Sequence, residues 1–399
     1  MTTPKRILYV HYGDNWIRGS EVVLLALISG IDRDKFEPFV WSNCQPLIDK
    51  CQSLGIEAEH SAFNLVGGWS APRWDISGWN SLIKQGSALI EKHNIDLVHV
   101  NSGGPCQWMC LAARMNHIPL VTQLHCHYTL RDRFSLGLHL SPKLICVSKD
   151  VGREILQDGY PQNQLHVVHN GVSLQGVSLQ GVDTPIDIKD RLGIPSQAFT
   201  FLSVGSLIKR KGFDRLIRAM RMHNYHHNNP HLVIVGDGEE REALQQLASD
   251  LGIQERVHFV GEQHNAGAWM CGNADAFISG AYEEAFGLVL GEAALAQLPI
   301  VAPKTGGIPE LFEHNHSALL YQNSGMASLL NAIQQVMQDA ALRNKLAENA
   351  YLHASQHLTT TASINAIERI YEGELNNNAI TPMPMTHCMK PLSRWLSIN

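Results

Sequence analysis

The stretch Ser279-Gly-Ala-Tyr-Glu-Glu-Ala-Phe-Gly-Leu-Val-Leu-Gly-Glu-Ala-Ala-Leu-Ala-Gln-Leu-Pro-Ile-Val-Ala-Pro-Lys-Thr-Gly-Gly-Ile-Pro-Glu310 decides how the rest of the chain is read. Two carboxylates, Glu284 and Glu292, stand seven residues apart around Phe286-Gly287. Leu288, Ala294, Leu295 and Leu298 suit the buried face of a helix from about Gly287 to Gln297. Pro299 cannot continue that helix, and Ile300-Val301-Ala302 restarts a strand. Glu284 is thus expected just before a helix N-terminus and Glu292 about one and a half turns inside it. The free N–H groups and partial positive charge of such an end suit a phosphate, and Gly287 lets the backbone approach one. Acceptor-only carboxylates on both sides of a diphosphate match a ligand with hydroxyls at both ends, the layout of a nucleoside-diphosphate sugar. Without the flanking residues, two glutamates at this spacing would read as a solvated helix face.

The flanks add a second signal. Glu284-x7-Glu292 in a Glu-x-Phe-Gly context, followed by Thr305-Gly306-Gly307-Ile308-Pro309-Glu310, resembles glycosyltransferase family 4 over roughly residues 5 to 375. That resemblance implies an α/β protein of the GT-B fold: two doubly wound, Rossmann-like parallel-sheet domains facing a central cleft, with a C-terminal helix crossing back to the first. It implies a retaining transferase of the hexosyltransferase class and assigns roles by position. Glu284 would hold the donor sugar and Glu292 the ribose hydroxyls. Arg210 and Lys211 match the family's basic residue and Lys-Gly, and would meet the leaving diphosphate. His125 matches a histidine near the donor sugar. Gly19, Gly205 and the Phe286-Gly287-Leu288 turn would complete the donor contacts. Arg18 departs from the family, which commonly has a second glycine there, and Ser206 replaces an arginine found in some members.

Composition sets the outer bounds. A chain of 399 residues exceeds the usual limit of one core, so two domains are expected. Apolar content of 44% and charged content of 17% exclude a disordered class. The net charge of −6 argues against a general nucleic-acid partner. No apolar run is long enough to span a bilayer, and Lys5-Arg6 lead straight into a strand instead of a signal peptide, so the expected location is the cytoplasm. The eight cysteines show no framework spacing and read as reduced core thiols. Cys106 and Cys110 near His125-Cys126-His127, and the cluster His223, His226, His227 and His231, are weak metal candidates. No metal site is assigned, and no cofactor is expected beyond a UDP- or GDP-sugar donor.

Along the chain, apolar runs alternate with helical patterns. Strands are expected at Arg6–Val10, Phe36–Trp41, Leu97–Asn101, Leu120–Leu124, Lys143–Val147 and His166–His169. A second set is expected at Phe199–Val204, Leu232–Val235, Val257–Val260, Ala276–Ser279, Pro299–Val301 and Ala318–Leu320. This alternation implies parallel sheets with ligands at their carboxyl ends, where Asn101-Ser-Gly-Gly104 and His125 lie. The domains are read as 1–170 for the acceptor, 171–190 as a linker, 191–360 for the donor, and 361–399 as crossover helix and tail. Gly171-Val-Ser-Leu-Gln repeats at Gly176 and begins again at Gly181, an inexpensive insertion in a linker. Val204-Gly205-Ser206 leads into Lys209-Arg210-Lys211-Gly212, a clamp for a diphosphate or else a solvated charge run.

The function expected is transfer of a sugar from a nucleoside-diphosphate sugar to a glycan or lipid-linked acceptor, in cell-surface polysaccharide or lipopolysaccharide biosynthesis. A nucleotide-sugar epimerase of the same fold and a non-catalytic nucleotide-sugar-binding protein are the alternatives. Arg18, Trp69, Arg73, Trp74, Arg131 and Arg133 in first-domain loops suggest a cationic rim for peripheral contact at the inner face of a membrane.

Overall fold

A computed structural model describes residues 3–67, 74–174, 184–222 and 229–376. The repeat copies from Gly176 onward, Trp69, Arg73, His223, His226, His227 and the tail beyond Asn376 lie outside those residues. The chain divides into two compact units, 1–170 with 360–399, and 171–359.

The first unit holds seven parallel strands: β1 (Lys5–His11), β2 (Phe36–Ser42), β3 (Glu57–His60), β4 (Leu97–Asn101), β5 (Leu120–Leu124), β6 (Leu144–Cys146) and β7 (Leu165–Val167). Their order is β3-β2-β1-β4-β5-β6-β7. The interior strands are buried on both faces, hence continuous apolar runs such as Ile7 to Val10. Edge strand β3 has no such run, since Glu57, Glu59 and His60 are exposed, and its sequence gives no sign of a strand. Helix α1 (Gly19–Gly30) follows β1, and its Leu24, Leu27 and Ile28 are buried. Cys44, Cys51, Cys106, Cys110 and Cys146 are buried thiols outside any disulfide, with the Sγ atoms of Cys106 and Cys110 3.3 Å apart.

The second unit has six parallel strands: β8 (Thr200–Val204), β9 (His231–Val235), β10 (Val257–Gly261), β11 (Ala276–Ile278), β12 (Ile300–Pro303) and β13 (Leu319–Tyr321). Their order is β10-β9-β8-β11-β12-β13. Helix α2 (Phe213–Met222) lays Leu216, Ile217 and Met220 on the core, α3 (Leu288–Leu295) follows the Glu284 loop, and α4 (Met326–Gln338) follows β13.

The final described helix, α5 (Thr360–Asn376), returns to the first unit. Ile364 fills the space a side chain at Gly30 would need, its Cδ1 lying 2.5 Å from where that Cβ would sit. Glu368 accepts from the Asp32 N–H at 2.7 Å, and Tyr371 reaches His99 on β4 at 2.6 Å. Lys35 pairs with Glu372 and Lys143 with Glu374, both at 3.1 Å.

Candidate active site

In each sheet the strand order reverses once, between β1 and β4 and between β8 and β11. Connections leave to opposite sides at such a point and open a crevice beyond the strands' carboxyl ends.

In the second unit, β8 runs out into Val204-Gly205 and β11 into Ser279-Gly280. The loops that follow interlock through main chain. Gly212, at φ +61, approaches Gly280 so closely that a Cβ on it would lie 1.9 Å from the Gly280 carbonyl oxygen. Only glycine accepts both that dihedral and that contact. The Arg210 carbonyl accepts from the Tyr282 N–H at 2.8 Å. A third segment closes the set: the Gly307 N–H donates to the Glu284 carbonyl at 3.0 Å, and a Cβ on Gly306 (φ +55) would fall 1.7 Å from that oxygen. Thr305-Gly306-Gly307 therefore fixes the backbone that carries Glu284.

With both backbones fixed, Lys211 Nζ meets Glu284 Oε2 at 2.6 Å, with side chains 18% and 12% exposed. A charge-assisted bond in that partly desolvated setting is stronger than a surface pair. Arg210 lies on the same short 3-10 turn, and its exposed side chain makes no ion pair among the described residues. The expected basic pair thus divides: Lys211 is engaged with Glu284, while Arg210 is available. Gly287 is the N-cap of α3 at φ +106, with Phe286 buried beside it and Leu288 as the first helical residue. Gly205 precedes this assembly at the end of β8.

Glu292 is the fifth residue of α3. Part of its surface is open, but the carboxylate is hemmed in by protein, and among the described residues its side chain makes no hydrogen bond or ion pair. Burial pushes its pKa up to about 7. Near neutrality the carboxyl of the unliganded protein is therefore divided between acid and carboxylate.

The first unit brings together groups that the sequence did not connect. His11 at the end of β1 donates from Nδ1 to the Asn101 carbonyl at 2.6 Å, and its Nε2 lies 2.7 Å from Glu21 Oε1 on α1. A carbonyl only accepts, so Nδ1 is the donor of that bond, and Nε2 faces the carboxylate. Burial alone would raise the Glu21 pKa. The hydrogen bond and charge of His11, with the Arg18 N–H, outweigh it and hold the group at about 2. His125 lies beyond β5, with Nε2 2.9 Å from Asn101 Oδ1. Burial, then the His11 charge, lower its pKa to about 3 against the pull of Glu21. His125 is therefore a neutral hydrogen-bonding group, unsuited to carrying a proton at neutral pH. Gly19 opens α1, where Glu21 Oε2 accepts from the Arg18 N–H at 3.0 Å and sets a carboxylate beside the helix end.

The cationic rim is corrected in one respect. Arg133 is buried, binds Asp158 through Nε at 2.6 Å and pairs with Glu154, since the fully buried Asp158 needs a cation. Arg131 is exposed and donates to the Gly67 carbonyl at 3.2 Å, and Trp74 is exposed. No described helix is long and apolar enough to cross a membrane. Among the described residues no three His, Cys, Asp or Glu side chains converge as metal ligands.

Two family profiles match the chain: Glycosyltransferase Family 4 over residues 17–175, and Glycosyl transferases group 1 over residues 186–353. The chain is 31% identical over 228 residues to the lipopolysaccharide core biosynthesis glycosyltransferase LpsD of Rhizobium meliloti, a match covering 57% of this chain and 62% of that protein. It is 23% identical over 318 residues to the N-acetyl-alpha-D-glucosaminyl L-malate synthase of Bacillus anthracis, covering 77% of this chain and 81% of that one. Among solved structures, Anabaena Alr3699/HepE in complex with UDP and glucose superposes with a TM-score of 0.76 at 22% identity, over 92% of this chain and 100% of that one.

Proposed function

The chain belongs to the family 4, group 1 glycosyltransferases with the GT-B fold, and from that premise we propose that it is a retaining transferase using a nucleoside-diphosphate sugar. The observation that carries this reading is the Lys211–Glu284 pair, held on interlocked loops at the β8/β11 reversal, beside the unengaged Arg210 and the N-terminus of α3. When the anomeric bond breaks, negative charge grows on the departing diphosphate and positive charge on the sugar. Arg210, Lys211 and the α3 N–H groups would stabilise the first. Glu284, drawn from Lys211 as the phosphate arrives, would orient the sugar hydroxyls, and Glu292 the ribose. Attack comes from the leaving group's own face, with the diphosphate assisting removal of the acceptor proton.

A UDP- or GDP-linked hexose is the donor class, and neither a metal nor a further cofactor is required. The acceptor is a glycan or lipid-linked glycan, a choice supported by the lipopolysaccharide-core name of one relative. On this reading the reaction runs in the cytoplasm at the inner face of the membrane. The protein is incubated with each nucleotide sugar, with and without lipid-linked acceptor. Acceptor-dependent release of nucleoside diphosphate is expected. Conversion of the donor to an epimer without acceptor, or tight donor binding with no turnover on any acceptor, refutes the transferase reading.

A further inference from the structure

Away from the Lys211–Glu284 pair, the second unit contains a cavity of about 180 Å³ whose lining includes Arg215, Tyr282, Tyr321, Asn323, Gly325 and Met326. Arg215 is only 7% exposed, yet no carboxylate among the described residues lies within ion-pair distance of it. Its Nη1 donates to Asn323 Oδ1 at 2.8 Å and approaches the Tyr321 hydroxyl at 3.4 Å. Nε and Nη2 have no hydrogen-bond partner among the described residues, and neither is a fully buried atom. The guanidinium lies over the Tyr282 ring with Cζ 3.9 Å from its centroid, so its plane is held and its edge is free. The Tyr282 hydroxyl is turned to Asp214 at 3.0 Å. A buried cation normally has a counter-charge, because desolvation without one is costly.

The same lining includes the start of a helix. Helix α4 is 13 residues long, its N-cap is Gly325, and no side chain caps it. The N–H groups of Met326, Ala327 and Ser328 have no partner among the described residues. They lie at the positive end of the helix dipole, where an anion is favoured. We propose that Arg215 and the α4 N-terminus form an anion site for a phosphate group, either inorganic phosphate or a phosphate monoester. A volume of about 180 Å³ is below the range of about 300–1,000 Å³ usual for larger ligands, and suits a compact oxyanion. The bidentate edge of a guanidinium matches two phosphate oxygens, leaving a third for the helix end. An occupant would also bear on the catalytic loop, since Asn323 Nδ2 donates to the Tyr282 carbonyl at 2.9 Å and the Tyr282 N–H donates to that of Arg210.

The test titrates the full-length protein with inorganic phosphate and, separately, with glucose 6-phosphate. It follows binding by calorimetry and thermal shift at constant ionic strength against chloride. Saturable binding of at least one is expected. Equal affinities identify free phosphate as the ligand, and tighter monoester binding identifies an organic phosphate. Ala327→Glu places a competing carboxylate at an exposed position in the first helical turn, so the fold is kept and affinity should drop at least tenfold. Arg215→Gln should do the same. Lys211→Met, which alters the other candidate anion site, should leave the affinity within twofold. The proposal is overturned if neither ligand binds, if binding survives Ala327→Glu, or if Lys211→Met abolishes it while Ala327→Glu does not.

Discussion

Replacing Glu292 with glutamine should stabilise the unliganded protein, and the gain should depend on pH. The carboxyl shifts from 4.5 when solvated to about 7 in the fold because burial penalises its charged form. Each pKa unit corresponds to about 1.4 kcal/mol, so full ionisation of Glu292 costs about 3 kcal/mol of folding free energy. Below pH 4.5 both folded and unfolded states are protonated and no cost arises. Between 4.5 and 7 the folded state retains a proton that the unfolded state releases, so stability falls as pH rises. Above 7 the loss is complete and constant. Glutamine removes the titration while keeping the shape. For a domain of 150–250 residues each kcal/mol moves Tm by about 2–4 °C, so Glu292→Gln should melt about 6–12 °C above the parent at pH 8. At pH 4.5 the difference should be small. Melting curves by circular dichroism from pH 4.5 to 9 read both limbs. A difference that does not change with pH, or a mutant less stable than the parent at pH 8, refutes the burial argument. Saturating nucleotide should reverse the order if Glu292 accepts from ribose hydroxyls, because the parent then gains more from ligand than the mutant does.

Removing Lys211 as Lys211→Met strands the partly buried Glu284 carboxylate and should destabilise by about 1–3 kcal/mol. The double variant with Glu284→Gln should lose less than the sum of the two single changes, and strictly additive melting free energies would show that the pair is uncoupled. Turnover of Lys211→Met should drop more than donor affinity, since negative charge grows as the phosphate leaves. Arg133→Ser should behave as a core lesion, costing about 3–5 kcal/mol by removing the guanidinium that the buried Asp158 carboxylate binds. Denaturant unfolding measures this, and a loss under 1 kcal/mol would return Arg133 to the surface.

Strand positions in both sheets were legible because parallel strands buried on two faces must be continuous apolar runs, and the interior strands obey that. β3 escaped because an edge strand can be polar. The position of Glu284 before a helix and of Glu292 inside it followed from Pro299 and the apolar spacing alone. Pairings across long sequence separations did not follow. Lys211 and Glu284 meet because backbones interlock at Gly212, Gly280 and Gly306, and no periodicity reports that contact. The His11–Glu21–Asn101–His125 network needs a strand order that places the β1 and β4 ends side by side. Arg133 looked like a rim cation because an arginine in a loop sequence gives no hint of a buried Asp158 twenty-five residues on. Arg215 was hidden by its helix, whose apolar face accounts for Leu216, Ile217 and Met220 but not for a buried cation beside it.

The backbone interlock bears on how this protein can be diversified. Gly212, Gly280 and Gly306 sit where any side chain would strike a carbonyl of a neighbouring loop, so the three loops cannot drift independently in sequence or length. Their freedom lies in the residues between those points. Tyr282 and Glu283 are exposed, and Ala285 and Leu288 are partly so. A combinatorial library seeking a new donor should hold the three glycines invariant and randomise those four positions. Insertions would be confined to segments that carry no such contact. The same constraint predicts which natural variation the loops can accumulate: exchanges of side chain at a fixed backbone, so that a change of substrate can occur without a change of scaffold.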